Sequence, residues 1–228
     1  KLQTRERVHA FDGHSQRILG LCVARGAATF ASCGDERAVH VWDVPSGRAL
    51  RRLSAHAARV NAVAYAGDAS ALLVSASYDA TVRCWDCRSR SARPVQMLLG
   101  ATDSVSSVAA VGHEILAASV DGAVRTYDVR AGRVTRDVLG APAAHLSLSH
   151  DGGAALVGTL DSTLRLLDRS SGGLLQSYSG HRNAALRCAS ALSHDDAHVL
   201  GGSEDGALHV WHLVDGTRAW HGLAAHKG

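Results

Sequence analysis

The chain has 228 residues, a formal net charge of +3 and 20% charged residues, which is the composition of a globular protein. No uncharged apolar run approaches the roughly 18 residues of a membrane span, and the first ten residues lack the apolar segment of a secretory signal. The five cysteines are odd in number and scattered, which argues against a disulfide framework and favours a reducing compartment.

One segment recurs along the chain, with an aromatic or apolar residue followed by a polar one near its end. The positions that carry it are Trp42, Trp85, Tyr127, Leu167 and Trp211, and they lie 40 to 44 residues apart. Taken in chain order, this spacing predicts complete repeats at 14–55, 56–100, 101–140, 141–180 and 181–225. Residues 1–13 read as the end of a preceding repeat, with Gln3 in place of its Trp, and residues 226–228 as the start of a further one.

Each repeat has the pattern of short strands. In the second repeat, "RVNAVAYA" and "ATVRCWD" alternate apolar and polar residues, and "ALLVSAS" is a compact apolar run between them. The polar connectors "GDAS" and "YDA" separate these runs. No convincing helical periodicity appears, so we predict an all-β fold made of four-stranded antiparallel sheets.

These repeats resemble those of the WD-repeat family, which have Gly-His near the start and Trp-Asp at the end. Gly-His occurs at His14 and His181, Ala-His occurs at His56, and Trp-Asp occurs at Trp42 and Trp85. The resemblance covers essentially the whole chain and implies a β-propeller, of which five complete blades belong to a ring of seven. It also implies a chain that extends beyond both ends of this sequence, and a protein without enzymatic activity.

The family places a buried chain of hydrogen bonds in each blade. In blade two the matching residues are His56, Ser75, Asp79 and Trp85. The Trp N–H reaches the Ser hydroxyl, which reaches the His, whose other nitrogen meets the Asp carboxylate. Because an unpaired polar group is costly in a low-dielectric interior, we interpret this set as structural and not as a hydrolase triad.

The other blades keep less of this set. Blade one has His14, Ser32 and Trp42, with Glu36 in the Asp position. Blade five has His181, Asp205 and Trp211, with Gly201 in the Ser position. Blades three and four have Ala101 and Ala141 in the His position, so we expect apolar packing there, with Asp121 and Asp161 ordering their turns.

The remaining sequence motifs do not indicate a catalytic, metal or cofactor site. Cys84 and Cys87 form a single C-x-x-C without a second pair of ligands, which is a weak metal or redox signal, and Cys84 lies inside a predicted strand. The glycine-rich stretches lead into strands and not into helices, so they are not phosphate-binding loops. We therefore predict no catalytic residues, no metal, no cofactor and no small-molecule substrate.

Two surfaces are candidates for binding other proteins. The first is the face of the ring formed by the starts of the inner strands and the turns between the second and third strands. Its candidate contacts are Arg17, Asp35, Arg59, Asn61, Tyr78 and Glu204. The second is the basic turn after Trp85, whose Arg88, Arg90 and Arg93 suit an acidic protein surface or the phosphates of an RNA.

A closer likeness extends from Ser75 to Asp215, in runs such as "VRCWDCRSR", "HEILAASVDGAVRTYD" and "LDSTLRLLD". These runs resemble WD-repeat proteins described as scaffolds of mitogen-activated protein kinase cascades and as spliceosome components. The resemblance implies partners in one of these assemblies and a location in the nucleus and cytoplasm. An alternative is a substrate receptor of a cullin-RING ubiquitin ligase, because Leu73–Arg88 resembles the W-D-x-R box in which Arg88 is the key contact.

Overall fold

The computed structural model describes residues 8–67 and 70–222, and all of its regular secondary structure within these ranges is β. Twenty strands in this part of the chain form five separate sheets of four strands each. The predicted all-β fold and the five four-stranded antiparallel blades are therefore confirmed. The predictions for Gln3 and for residues 226–228 lie outside the described residues.

The strands of the first three blades follow the order of the chain. Blade one comprises β1 (Ile18–Val23), β2 (Thr29–Gly34), β3 (Ala38–Asp43) and β4 (Arg48–Ser54). Blade two comprises β5 (Val60–Ala66), β6 (Leu72–Ser77), β7 (Val82–Asp86) and β8 (Gln96–Leu98). Blade three comprises β9 (Val105–Val111), β10 (Glu114–Ser119), β11 (Ala123–Asp128) and β12 (Arg133–Val138).

The last two blades repeat the same arrangement. Blade four comprises β13 (Ala143–Leu148), β14 (Ala154–Thr159), β15 (Thr163–Asp168) and β16 (Leu174–Ser179). Blade five comprises β17 (Ser190–Leu192), β18 (His198–Gly202), β19 (Leu208–His212) and β20 (Arg218–His221). The strands of each sheet pair in sequence order, and no described residue belongs to a helix that could cross a bilayer.

Neighbouring blades bury apolar side chains against each other. Trp85 of blade two packs with Val39, Val41 and Leu53 of blade one. The opposite face of the same blade packs Val74 into a cluster with residues of blade three. Because successive side chains of a strand point to opposite faces, the two middle strands of a blade are apolar on both faces and bind it to both neighbours.

The first strand of each blade contacts the first strand of the next, so these strands lie on the inside of the arrangement. They surround a cavity of about 700 Å³ that is lined by residues of all five blades. At the mouth of this cavity, the backbone at the end of β2 lies close to the backbone just before β1. A Cβ atom at Gly34 would collide with the carbonyl oxygen of Arg17, which explains the glycine at this position.

Candidate functional site: the buried polar chains and the exposed face

Blade two contains a continuous chain of buried hydrogen bonds. Trp85 Nε1–H donates to Ser75 Oγ over 2.9 Å, and this hydroxyl lies 2.8 Å from His56 Nε2. His56 Nδ1–H donates to Asp79 Oδ2 over 2.9 Å, and the same oxygen accepts the backbone N–H of Ala57. The chain ties the start of the blade to its two central strands, and it runs inside the sheet and not along the cavity.

The electrostatics of this chain keep its two titratable groups in fixed states. Burial lowers the pKa of His56, and the hydrogen bond to Asp79 only partly offsets this effect. Burial alone would raise the pKa of Asp79, but hydrogen bonds from Thr81, Ala57 and His56 outweigh it and lower the pKa to about 2. At neutral pH a neutral imidazole therefore donates to an ionised carboxylate.

Blade one forms most of the same chain. His14 Nε2 lies 2.6 Å from Ser32 Oγ, which also accepts Trp42 Nε1–H over 2.7 Å. Glu36 stands in the Asp position, but its Oε1 is 3.5 Å from His14 Nδ1 and instead accepts the backbone N–H of Ser15. Both acids thus accept the backbone N–H of the residue after the histidine, but only Asp79 also lies within 2.9 Å of its imidazole.

Blades three and four have an ion pair near the position of the missing histidine, in addition to the apolar packing that we expected there. Ala101 packs against the core between blades two and three. In blade three, Arg125 Nη2 lies 2.7 Å from Asp121 Oδ2, and the two side chains are 4% and 7% exposed. In blade four, Arg165 Nη2 pairs with Asp161 in the same way, over 2.5 Å. An arginine that reaches back to the turn carboxylate replaces the missing histidine. The ion pair is buried in blade three and partly exposed in blade four, where the two side chains are 20% and 36% exposed.

The sequence contained a signal for these pairs that our prediction did not use. In each repeat, the residue four positions after the acid is an arginine or a histidine. The recurring aromatic or apolar residue, such as Trp42 or Trp85, follows two positions later. The acid–base pairs are Glu36–His40, Asp79–Arg83, Asp121–Arg125, Asp161–Arg165 and Asp205–His209. Blades two to four use arginine at this position, whereas blades one and five use histidine.

Blade five does not form the predicted chain through His181, Asp205 and Trp211. Trp211 Nε1–H donates to the carbonyl oxygen of Ser179, since Gly201 offers no hydroxyl. The Asp205 carboxylate accepts the backbone N–H of Ala207 within its own turn. His181 is 5% exposed and, among the described residues, neither of its ring nitrogens has a hydrogen-bond partner.

The predicted binding face has a repeated arrangement around the cavity. The Asp35 N–H donates to the Arg17 carbonyl oxygen over 2.9 Å, and the Tyr78 N–H donates to that of Arg59 over 3.1 Å. The side chains pair as well, because Arg17 Nε lies 3.2 Å from Asp35 Oδ2 and the Arg59 guanidinium lies 4.8 Å from the Tyr78 ring centroid. Tyr78 remains 55% exposed, so this pair is available to a partner.

Two residues predicted for this face have their polar groups used inside the fold. Asn61 is 7% exposed and donates to Ser104 Oγ and to the carbonyl oxygen of Val105, which ties blade two to blade three. The Glu204 carboxylate accepts the backbone N–H groups of residues 184–186, and these bonds lower its pKa. The polar groups of both residues thus have partners inside the fold, and their contact with another protein stays a prediction.

The basic turn after Trp85 lies at the outer edge of blade two. Arg88, Arg90 and Arg93 are exposed, and they lie between β7 and β8. The turn is held by Arg51 of blade one, which donates to the carbonyl oxygens of Asp86 and Ser91. The three arginines thus project from a fixed loop and make few contacts with the fold.

Two cavity residues were not predicted. Arg187 extends from the segment before β17 to the carbonyl oxygen of Asn61, 126 positions away in the sequence, with Nη1 2.6 Å from that oxygen. His145 lines the same cavity, where burial and then the Arg187 charge lower its pKa to about 4. No pattern of the repeat distinguishes these positions, because both contacts cross from one blade to another.

The five cysteines are free thiols in the structure. Cys84 is buried in the core between blades two and three, and burial raises its pKa to about 11. Cys87 packs against the core between blades one and two, and burial raises its pKa as well. Both thiols are therefore protonated and weakly nucleophilic at neutral pH.

Comparisons with known proteins agree with this architecture. The family model "WD domain, G-beta repeat" matches residues 5–43, 47–86 and 172–212. WD repeat domain-containing protein 83 of Rattus norvegicus is 50% identical over 133 residues, which are 58% of this chain and 42% of the rat protein. Its homolog of Dictyostelium discoideum is 30% identical over 238 residues, covering 92% of this chain and 73% of that protein. Autophagy-related protein 16 of Arabidopsis thaliana is 29% identical over 210 residues, covering 90% of this chain and 41% of that protein.

Proposed function

The chain belongs to the WD-repeat family, and on this premise we propose that it is a non-enzymatic scaffold that brings other proteins together in the nucleus and cytoplasm. The assemblies we propose are those of pre-mRNA splicing or of a mitogen-activated protein kinase cascade, which are the settings implied by the sequence resemblance. The chain spans less than half of the rat relative, so the proposal concerns the surfaces described above.

The observation that carries this proposal is the charge around the central cavity. Arg17, Arg59 and Arg187 come from three different blades and line one opening. The residues lining the cavity include no aspartate or glutamate, and the nearby Asp35 pairs with Arg17, so the positive charge of the opening comes mainly from Arg59 and Arg187. A positive, concave surface of this kind favours an acidic segment of a partner, and the rigid strands beneath it hold the arginines in place.

The experiment is affinity purification from nuclear and from cytoplasmic extracts with and without nuclease treatment. We expect nuclease-resistant recovery of splicing or kinase-cascade proteins by the wild type. A triple variant of Arg17, Arg59 and Tyr78 to Ala should lose them. A matched variant with Arg133→Ala and Arg136→Ala on the outer strand β12 should retain them. Equal recovery by both variants would remove the cavity face from the proposal.

The exposure of Arg88 favours a second candidate, the receptor of a cullin-RING ligase. Its side chain is 80% exposed, and the Asp86 carboxylate fixes the turn by accepting the Arg88 backbone N–H over 2.9 Å. The guanidinium is exposed although its Nε lies 3.4 Å from Asp86 Oδ1, so it is accessible to the ligase's propeller-shaped adaptor. Recovery of that adaptor by the wild type but not by Arg88→Ala would favour this candidate, and recovery by neither would reject it.

A further inference from the structure

Blade one brings three potential metal ligands together just beneath its surface. His14, Glu36 and His40 each offer a ligand atom, and these atoms all lie within 4.8 Å of one another. Their side chains are 6%, 8% and 6% exposed. This is the one such group of three found among residues 8–67 and 70–222.

Each imidazole faces a different oxygen of the Glu36 carboxylate, at distances near those between ligands of a shared ion, and the contact with His40 is also within hydrogen-bonding range. His14 Nδ1 is 3.5 Å from Glu36 Oε1, and His40 Nε2 is 3.4 Å from Glu36 Oε2. Ligand atoms about 2.0–2.1 Å from a tetrahedral zinc ion lie about 3.4 Å from each other. The equivalent pair in blade two, His56 and Asp79, is closer, at 2.9 Å.

His14 Nδ1 is a buried nitrogen that points into this group without a hydrogen-bond partner in the described structure. Its other ring nitrogen is held by Ser32 Oγ at 2.6 Å. A second hydrogen bond of this kind commonly orients a metal-binding histidine and selects its tautomer. The unpaired nitrogen is costly for a purely structural network, because a buried acceptor loses its hydration without a replacement.

We propose that His14, Glu36 and His40 form a binding site for a zinc ion in blade one. Two imidazole nitrogens and one carboxylate oxygen are a donor set that zinc prefers, with a fourth position for water. Two of the three ligands are residues in which blade one departs from blade two, where Asp79 and Arg83 occupy the positions of Glu36 and His40. The positive charge of Arg83 makes blade two unsuitable for a cation.

The nearest competing charge is that of Arg52. Its Nη2 lies 3.9 Å from Glu36 Oε2, and its side chain is 64% exposed. Since this side chain is free to turn towards solvent, it does not block the site, but its charge opposes a cation. Arg52→Ala should therefore bind zinc several-fold more tightly than the wild type.

The test is equilibrium dialysis of the whole chain against zinc chloride, with cobalt(II) as a spectroscopic substitute. We expect a single tightly bound zinc ion and the visible absorption of four-coordinate cobalt. His40→Arg copies the arginine of blade two and should abolish both signals. Zinc should raise the melting temperature of the wild type and leave that of this variant unchanged.

A control variant and a second loss-of-binding variant complete the test. His209→Arg makes the same change at the equivalent position of blade five and should bind zinc as the wild type does. Should His40→Arg fail to fold, Glu36→Gln removes the charged ligand with little change in size and should also lose the ion. The proposal is overturned if the wild type binds no zinc, or if the folded ligand variants bind it equally, which would show an adventitious ion at other histidines.

Discussion

Arg125 and Asp121 form a buried ion pair inside blade three, with Nη2 2.7 Å from Oδ2. Arg125 Nη1 also donates to Ser119 Oγ over 2.8 Å, and Asp121 accepts the backbone N–H of Thr102. Hydrogen bonding lowers the pKa of Asp121 although burial opposes it, so the carboxylate stays ionised. The pair thereby performs the task of the histidine in blade two, which is to hold the turn against the start of the blade.

Removal of the arginine from this pair should be strongly destabilising. Arg125→Met leaves the ionised Asp121 buried without its partner, which typically costs about 3–5 kcal/mol of unfolding free energy. Arg88→Met, whose partner Asp86 is at the surface, should cost no more than about 1 kcal/mol. Urea denaturation measures both, and similar losses for the two variants would contradict the role assigned to Arg125.

Truncation of Trp85 should lower the free energy of unfolding more than truncation of Trp220. It is fully buried and donates to Ser75, so Trp85→Ala leaves a cavity and an unpaired chain, at about 3–5 kcal/mol. Trp220 is 55% exposed, and Trp220→Ala should change the unfolding free energy by no more than about 0.5 kcal/mol. A thermal melt in which Trp220→Ala is the less stable variant would refute this assignment.

His145 should make the stability of the protein depend on pH. Its pKa is lowered from 6.5 to about 4 in the folded state, so below pH 6.5 the unfolded chain binds more protons than the folded one. Stability therefore rises with pH in this window, by up to about 1.4 kcal/mol per pH unit from this residue. Unfolding free energies measured from pH 4 to 7 should give a shallower slope for His145→Gln than for the wild type.

The control for this prediction is the exposed His150. Because its side chain lies at the surface, His150→Gln should follow the pH profile of the wild type. His14, His56 and His181 also have lowered pKa values, so some slope should remain in every variant. An unchanged slope in His145→Gln would show that the cavity histidine is not the group that titrates.

The three arginines of the basic turn should matter for binding and not for folding. Replacing Arg88, Arg90 and Arg93 by Ser should leave the melting temperature nearly unchanged, because exposed charges contribute little to stability. Association with an anionic partner should weaken, and in the wild type it should fall steeply with salt. Binding of a labelled acidic peptide and of a single-stranded RNA, followed by fluorescence anisotropy, would distinguish the two partner classes.

The comparison for this variant is a triple change of Arg130, Arg133 and Arg136 to Ser in blade three. It removes the same number of positive charges from another exposed edge. It therefore shows whether binding depends on the location of the arginines or only on the net charge of the protein. Equal weakening by both triple variants would mean that only the overall charge matters. Unfolding of the Arg88, Arg90 and Arg93 variant would mean that the turn is structural.

The sequence by itself determined the repeat, the strand class and the polar chain of blade two. These features depend on residues that are close along the chain, such as Ser75 and Trp85, whose spacing in a hairpin of strands places them side by side. The same local reasoning extends to the pair of Asp121 and Arg125, which lie four positions apart across a turn. That pair could have been predicted from the sequence.

Only the tertiary structure decided which polar side chains face the solvent and which face another blade. Arg59 and Asn61 are two positions apart in the sequence. Yet Arg59 lies over the exposed Tyr78, whereas Asn61 donates to blade three and accepts a bond from Arg187 of blade five. These partners come from segments far apart in the chain, and they meet because the blades are arranged around one cavity. A residue's neighbours in another blade depend on the packing of whole sheets, which no local pattern specifies.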